Sequence, residues 1–257
     1  MDRILVSPFC IDQAAPAHLR LSTFAAWINQ PPVSGATVLE RVASIGEPLA
    51  AQVHRVIQAG DRPVSIAGDC CTVIALVAGL QRSGISPRLL WLDAHGDFNT
   101  PETTPSGFLG GMPLAMLVGR GDQTVMQRLG TRPLPEDDVV LCDARDLDPE
   151  ERQALDGSQV LRLSSVDQLQ VLELADRPLH VHLDVDIINP LDAPAMAYPA
   201  AGGPRLPELE AIAAWLAMAA RPVSVSVTTW AFDQDADRRT EQSCLRVLRS
   251  LLGPVRH

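Results

Sequence analysis

Residues 89–97 read Leu-Leu-Trp-Leu-Asp-Ala-His-Gly-Asp, an apolar run that passes without interruption into Asp93, His95 and Asp97. A continuously apolar segment of this length is what a strand covered on both faces looks like. In extended chain alternate side chains share a face, so the spacing predicts that Asp93, His95 and Asp97 converge where the strand ends. Residues 180–186, His-Val-His-Leu-Asp-Val-Asp, repeat the pattern, with Asp184 and Asp186 at the end. Open α/β sheets bind ligands at the carboxyl ends of their strands. Two such runs therefore decide both the fold class and the place to look for chemistry.

The same alternation extends along the chain. Strand-like runs are expected at Ile4–Pro8, Pro63–Ala67, Leu89–Asp93, Val139–Cys142, Val160–Leu163, Leu179–Asp186 and Val223–Thr228. Helices are expected near Ala36–Gln58, Thr72–Arg82, Ser165–Ala175, Pro207–Ala219 and Thr240–Leu251. Ser164 and Ser165 offer a cap to the third, and Pro207 suits the first turn of the fourth. Strands alternating with helices imply an α/β fold with a mainly parallel sheet between two helical layers. The Pro-rich stretches Gln30–Pro32 and Ala193–Pro207 read as loops over a site rather than as domain boundaries. One domain over 1–257 is the expected organisation.

Composition narrows the function. Apolar residues make up 46% and charged residues 20%, an ordinary globular balance. No run approaches the roughly 18 apolar residues of a membrane span. Met1-Asp2-Arg3-Ile4-Leu5-Val6 carries no secretory pattern, so a cytoplasmic protein is expected. The net charge of −10 argues against nucleic acid, which needs clustered Lys and Arg. The five cysteines (Cys10, Cys70, Cys71, Cys142, Cys244) lack paired zinc-finger spacing and are expected as thiols.

Asp93, His95, Asp97, Asp184 and Asp186 would put four carboxylates and one imidazole together. Such a cluster repels itself without cations. Hard oxygens with one imidazole suit a divalent ion such as Mn²⁺, and two ions sharing carboxylates is the economical arrangement. His182 lies two residues before Asp184 on the same strand face. It reads either as a core histidine or as support for a metal ligand.

These segments resemble the ureohydrolase family of arginases and agmatinases, which cleave guanidines at a dinuclear manganese centre. Asp93-Ala94-His95-Gly96-Asp97-Phe98-Asn99 is similar to the family's Asp-Ala-His-x-Asp-x-Asn. Asp184-Val185-Asp186-Ile187-Ile188-Asn189-Pro190 is similar to its Asp-x-Asp-x-x-Asp-Pro, with Asn189 replacing the last acid. Ser106-Gly107-Phe108-Leu109-Gly110-Gly111-Met112-Pro113 is similar to Ser-Gly-Asn-x-His-Gly-Met-Pro, and Ala67-Gly68-Asp69-Cys70 to Gly-Gly-Asp-His. The resemblance implies an arginase-like three-layer α/β/α sandwich and two Mn²⁺ ions. One would be held by Cys70, Asp93, Asp97 and Asp184, the other by His95, Asp93, Asp184 and Asp186. A hydroxide between them would attack the guanidine carbon, and Asp97 would carry its proton toward the leaving amine.

The resemblance also implies a substrate. Asn99 and Ser106 match positions that hold an α-carboxylate, and Asp148 one that addresses an α-amino group, so a free guanidino amino acid is expected. Three family features are absent. Cys70 replaces a metal histidine, so the Cys70-side ion is expected to be held weakly. Gly110 replaces the histidine that assists proton transfer, and Thr229 stands where an acid pairs with the guanidinium. An arginine side chain is essentially always protonated and suffers from losing that acid. A less basic guanidine suffers less. This combination resembles the hydroxyarginine-hydrolysing members of the family, which serve D-cycloserine biosynthesis and release hydroxyurea and L-ornithine from Nω-hydroxy-L-arginine. The rival readings are an arginase or other guanidino-acid hydrolase, a degenerate binding protein of the same fold, and a single-zinc deacetylase-like site. The sequence leaves a homo-oligomer open.

Overall fold

The computed structural model describes residues 1–253. In chain order the strands are β1 (Asp2–Ser7), β2 (Phe9–Cys10), β3 (Gln13–Ala14), β4 (Trp27–Ile28), β5 (Arg62–Ala67), β6 (Arg88–Asp93), β7 (Val139–Asp143), β8 (Leu161–Leu163), β9 (Leu179–Asp184) and β10 (Ser224–Thr228). The α-helices are α1 (Val38–Gln58), α2 (Thr72–Arg82), α3 (Pro113–Leu117), α4 (Thr124–Arg128), α5 (Pro149–Asp156), α6 (Leu206–Ala219) and α7 (Arg239–Leu252). Eight strands form one sheet in the order β4-β1-β5-β10-β9-β6-β7-β8, and every neighbouring pair in it is parallel. β2 and β3 make a small antiparallel hairpin apart from it.

Alternation along the strands divides the core in two. Leu89 and Trp91 pack with α1 and α2, whereas Leu90 and Leu92 pack with α6 and α7. This is the three-layer α/β/α arrangement, with apolar side chains leaving both faces of the sheet. The register aligns Trp91 with His182 and Thr228 with Asp184, so the ends of β6, β9 and β10 lie side by side in the middle of the sheet.

Local chemistry accounts for the best-formed elements. Thr37 caps α1: its hydroxyl accepts from the Glu40 N–H (3.2 Å), and the Glu40 carboxylate accepts back from the Thr37 N–H (3.3 Å). All seven expected strands form. The helix expected over Ser165–Ala175 does not; only a 3₁₀ stretch, Val166–Val171, is present. Its apolar face is too narrow, burying only Val166 and Leu169, while Val171 is 84% exposed. Ser165 spends its hydroxyl on the Asp167 carboxylate instead of a helix N–H. Helix α5, not expected from periodicity, is short and polar and starts at the Asp148-Pro149 step.

Two sequence arguments reach the right place by a different geometry. β6 stops at Asp93 and β9 at Asp184, so His95, Asp97 and Asp186 lie on turns rather than on extended strand. Asp97 has φ +49°, a left-handed conformation, and lines the same pocket as His95, Asp184 and Asp186.

Candidate metal centre

The site is built at the carboxyl ends of β5, β6, β9 and β10 and the loops that follow them. Asp93 is 1% exposed, accepting from the His95 N–H (2.7 Å) and the Trp91 Nε1–H (2.9 Å). Asp184 accepts from the Asp186 N–H (3.0 Å) and from the Cys70 thiol (2.9 Å). Asp186 accepts from the Ala94 N–H (3.2 Å) and lies 3.0 Å from His95 Nδ1. Asp97 is buried, and its Oδ2 has no hydrogen-bond partner among the described residues.

The electrostatics follow from this crowding. Burial, then the neighbouring Asp186, pushes Asp93 up to about 7. Burial and the charges of Asp93 and Asp184 hold Asp97 well above the usual carboxylate range, and burial with Asp186 and Asp93 does the same to Asp184. Burial works against a charge on His95, yet its contacts with Asp186 and Asp93 push it up to about 12. Burial beside Asp184 raises the Cys70 thiol well above its ordinary value. Several acids that resist ionising in one another's company, with one carboxylate oxygen unpartnered, make a donor set that fits cations.

The donor atoms fall into two groups, each with its members' ligand atoms within 4.8 Å of one another. One is Cys70, Asp93, His182 and Asp184; the other is Asp93, His95 and Asp186. Asp93 belongs to both. Asp97 stands outside these groups but lines the same pocket as His95, Asp184 and Asp186. Five of the six expected metal residues, Cys70, Asp93, His95, Asp184 and Asp186, fall in these groups; His182 joins them and Asp97 does not.

The expected substrate residues also line that pocket. Asn99 donates through Nδ2 to Asp148 (3.0 Å), and its Oδ1 accepts from the Thr103 hydroxyl (3.0 Å). Ser106, exposed, accepts from the Phe108 N–H (3.2 Å). Thr229 has φ +61°, rare for a β-branched residue, and its hydroxyl donates to Asp184. An outlier of this kind persists only where the surroundings over-determine it.

Several lining residues carried no signal in the sequence. The rings of Phe108 and Tyr198 pack tilted, with centroids 5.1 Å apart, on the pocket wall. Tyr198 lies within Ala193–Pro207, so that loop does reach the site, whereas the described pocket wall does not include Gln30–Pro32. Gly110 makes room for Phe108, because a Cβ there would lie 2.3 Å from the ring. Gly68 is needed for close approach, since a Cβ would lie 2.3 Å from the Phe9 carbonyl oxygen. Glu151, also in the wall, accepts from the N–H groups of Phe98 (2.8 Å) and Asp148 (3.3 Å), tying helix α5 to the loop after β6.

A family model described as the arginase family matches residues 28–253. The chain belongs to the arginase family. The arginase of Bacillus subtilis (strain 168) is 32% identical over 191 residues, covering 68% of this chain and 64% of that protein. The arginase of Bacillus caldovelox is 35% identical over 178 residues, covering 64% and 60%. The chain thus spans less than two thirds of the length of these curated relatives. Solved arginases overlay more completely. That of Bacillus cereus matches with a TM-score of 0.84 at 23% identity, covering 100% of this chain and 99% of that one. That of Bacillus subtilis gives 0.83 at 25%, covering 99% of each. The fold expectation of an arginase-like three-layer sandwich holds. No helix among the described residues is long and apolar enough to cross a membrane.

Proposed function

We propose that this chain hydrolyses the guanidino group of a free amino acid, with Nω-hydroxy-L-arginine preferred over L-arginine, giving hydroxyurea and L-ornithine. The observation that carries the reading is one pocket in which an acid cluster at the strand ends meets Asn99, Ser106 and Asp148. Asp93, His95, Asp97, Asp184 and Asp186, with Cys70 facing them, would hold two divalent ions, and the hard donors favour Mn²⁺. When bound, the ions would supply a water acidic enough to serve as nucleophile at neutral pH.

The chain's own residues do the rest. The Asn99–Asp148 pair presents an amide beside a carboxylate, suited to the α-carboxylate and α-ammonium of an amino acid. Ser106 adds a hydroxyl to the same wall. Asp97, with Oδ2 unpartnered, is placed to take the proton released when water oxygen bonds to the guanidine carbon. Delivered to the departing Nδ, that proton completes cleavage of the C–N bond and frees ornithine.

What is missing supports the choice among guanidines. Thr229 brings a hydroxyl where a carboxylate would pair with a cationic guanidinium, and that hydroxyl is turned to Asp184. Phe108 fills the space beside Gly110 where a histidine would stand. A less basic, N-hydroxylated guanidine tolerates both losses better than the permanently charged group of arginine. The test is product identification from Mn²⁺-loaded protein given L-arginine, Nω-hydroxy-L-arginine or agmatine at equal concentration. Ornithine should form fastest from hydroxyarginine. Agmatine turned over as quickly would refute the amino-acid reading, since agmatine has no carboxylate.

A further inference from the structure

We propose that His182 Nε2, and not the Cys70 sulfur, completes the donor set of the Cys70-side ion with Asp93 and Asp184; this rests on the two-metal reading above. The imidazole is fully buried on β9, two residues before Asp184 and on the same face. It belongs to the group whose donor atoms lie within 4.8 Å of one another, with Cys70, Asp93 and Asp184. Nitrogen and oxygen donors sit at about 2.0–2.2 Å from a first-row divalent ion, so donors around one ion are at most about 4.4 Å apart. The group needs only a small contraction to close on an ion.

The two ring nitrogens are in different situations. Nδ1 is 2.9 Å from the Ser226 hydroxyl, whereas Nε2 has no partner among the described residues. A buried imidazole nitrogen without a partner is costly, and an ion would give it one. Ser226 is also 3.1 Å from His180 Nε2, and His180 Nδ1 is 2.7 Å from Ser224. These contacts form a chain in which every group is satisfied if the protons run one way. His182 Nδ1–H donates to Ser226, Ser226 donates to His180 Nε2, and His180 Nδ1–H donates to Ser224. That orientation leaves the lone pair on His182 Nε2 free for an ion, which is how a metal-binding histidine is usually held, by a hydrogen bond to its other nitrogen. Trp91 packs against the ring with centroids 4.0 Å apart and donates to Asp93, so one side chain fixes two donors.

Cys70 offers less. Its sulfur is 2.9 Å from Asp184, to which the thiol donates its proton, and 3.0 Å from the Thr228 hydroxyl. A thiol must lose that proton to bind, and sulfur is a soft partner for Mn²⁺. The nitrogen that the residue-70 position lacks is supplied from the strand beneath it.

The decisive measurement is X-ray absorption at the manganese edge of the full chain saturated with Mn²⁺, with metal analysis of His182→Ala and Cys70→Ala after identical washing. The wild-type spectrum should show imidazole scattering from two histidines per two ions and no sulfur shell. His182→Ala should fall from two bound ions to one, while Cys70→Ala keeps both. A sulfur shell with a single imidazole, or two ions retained by His182→Ala, would overturn the assignment and leave the two-metal reading standing. If His182→Ala does not fold, the wild-type spectrum decides alone. A wild-type chain that takes up no manganese under saturation overturns the metal reading and this inference with it.

Discussion

Removing the ions should make the stability of this chain fall as pH rises, and the site sets the size of the effect. Asp93, Asp97 and Asp184 all hold protons more tightly folded than unfolded. Above the ordinary carboxylate pKa the unfolded chain has released protons that the folded chain still carries, so each rise in pH favours unfolding. For Asp93 the window runs from 3.8 to about 7. At 1.36 kcal/mol per unit this is on the order of 4 kcal/mol, undiscounted because the group is buried. His95 acts in the same direction: its contribution is complete below 6.5 and is lost as pH rises through about 12. Against a total stability of about 5–15 kcal/mol, 4 kcal/mol is a large fraction. Of this, the two pH units between 5 and about 7 fall in the assay range, about 3 kcal/mol, so at about 2–4 °C per kcal/mol for a chain of this size the chelated protein should lose roughly 5–10 °C in Tm between pH 5 and pH 8. Bound cations supply the charge that lets the acids ionise, so the loaded protein should show a much flatter profile. The assay is thermal unfolding by circular dichroism across pH 5–8 at constant ionic strength, with chelator or with Mn²⁺. A chelated Tm that stays level or rises over this range, with the loaded curve parallel to it, would refute the picture of a cation-starved acid cluster.

Three further outcomes are expected. Asp93→Ala should lose nearly all bound metal and activity, because this carboxylate belongs to both donor groups, whereas His95→Ala should lose mainly one ion; metal analysis with a hydroxyurea assay separates them. Thr229→Asp should restore a guanidinium partner worth about 1.5–3 kcal/mol, raising the arginine-to-hydroxyarginine kcat/KM ratio at least about tenfold; an unchanged ratio would show that residue 229 does not face the guanidine. Gly110→His should displace the Phe108 ring, breaking its packing on Tyr198 at a cost of about 1 kcal/mol, and little of that loss should remain in a Phe108→Ala background.

Much of this architecture was legible because it is local. Leu89–Asp93 and Leu179–Asp184 announce buried parallel strands through unbroken apolar runs, and the acids at their ends need only the strand ends to be neighbours. The turn geometry was not legible: extended-chain alternation predicts the convergence of Asp93 and Asp97, but the left-handed φ at Asp97 produces it. Nor was the failed helix at Ser165–Ala175, where a plausible cap preceded a face with only two buried side chains.

The least legible part is what surrounds the acids, because it depends on side-chain contacts that the order of residues does not announce. Gly110 in isolation is a lost histidine; beside Phe108 it is the space into which an aromatic ring has moved. Cys70 in isolation is a weakened metal ligand; beside His182 it stands next to an imidazole nitrogen with nothing else to bind. In the first case the volume is taken by a neighbour two residues away, in the second the donor is offered from strand β9. A pocket that had merely lost selection for its ions would have no reason to keep Asp93, His95, Asp97, Asp184 and Asp186 together, nor to orient a second buried imidazole toward them through Ser226. The acids kept together and the rearranged neighbours therefore fit the proposed preference for a different guanidine better than they fit a centre that has stopped working.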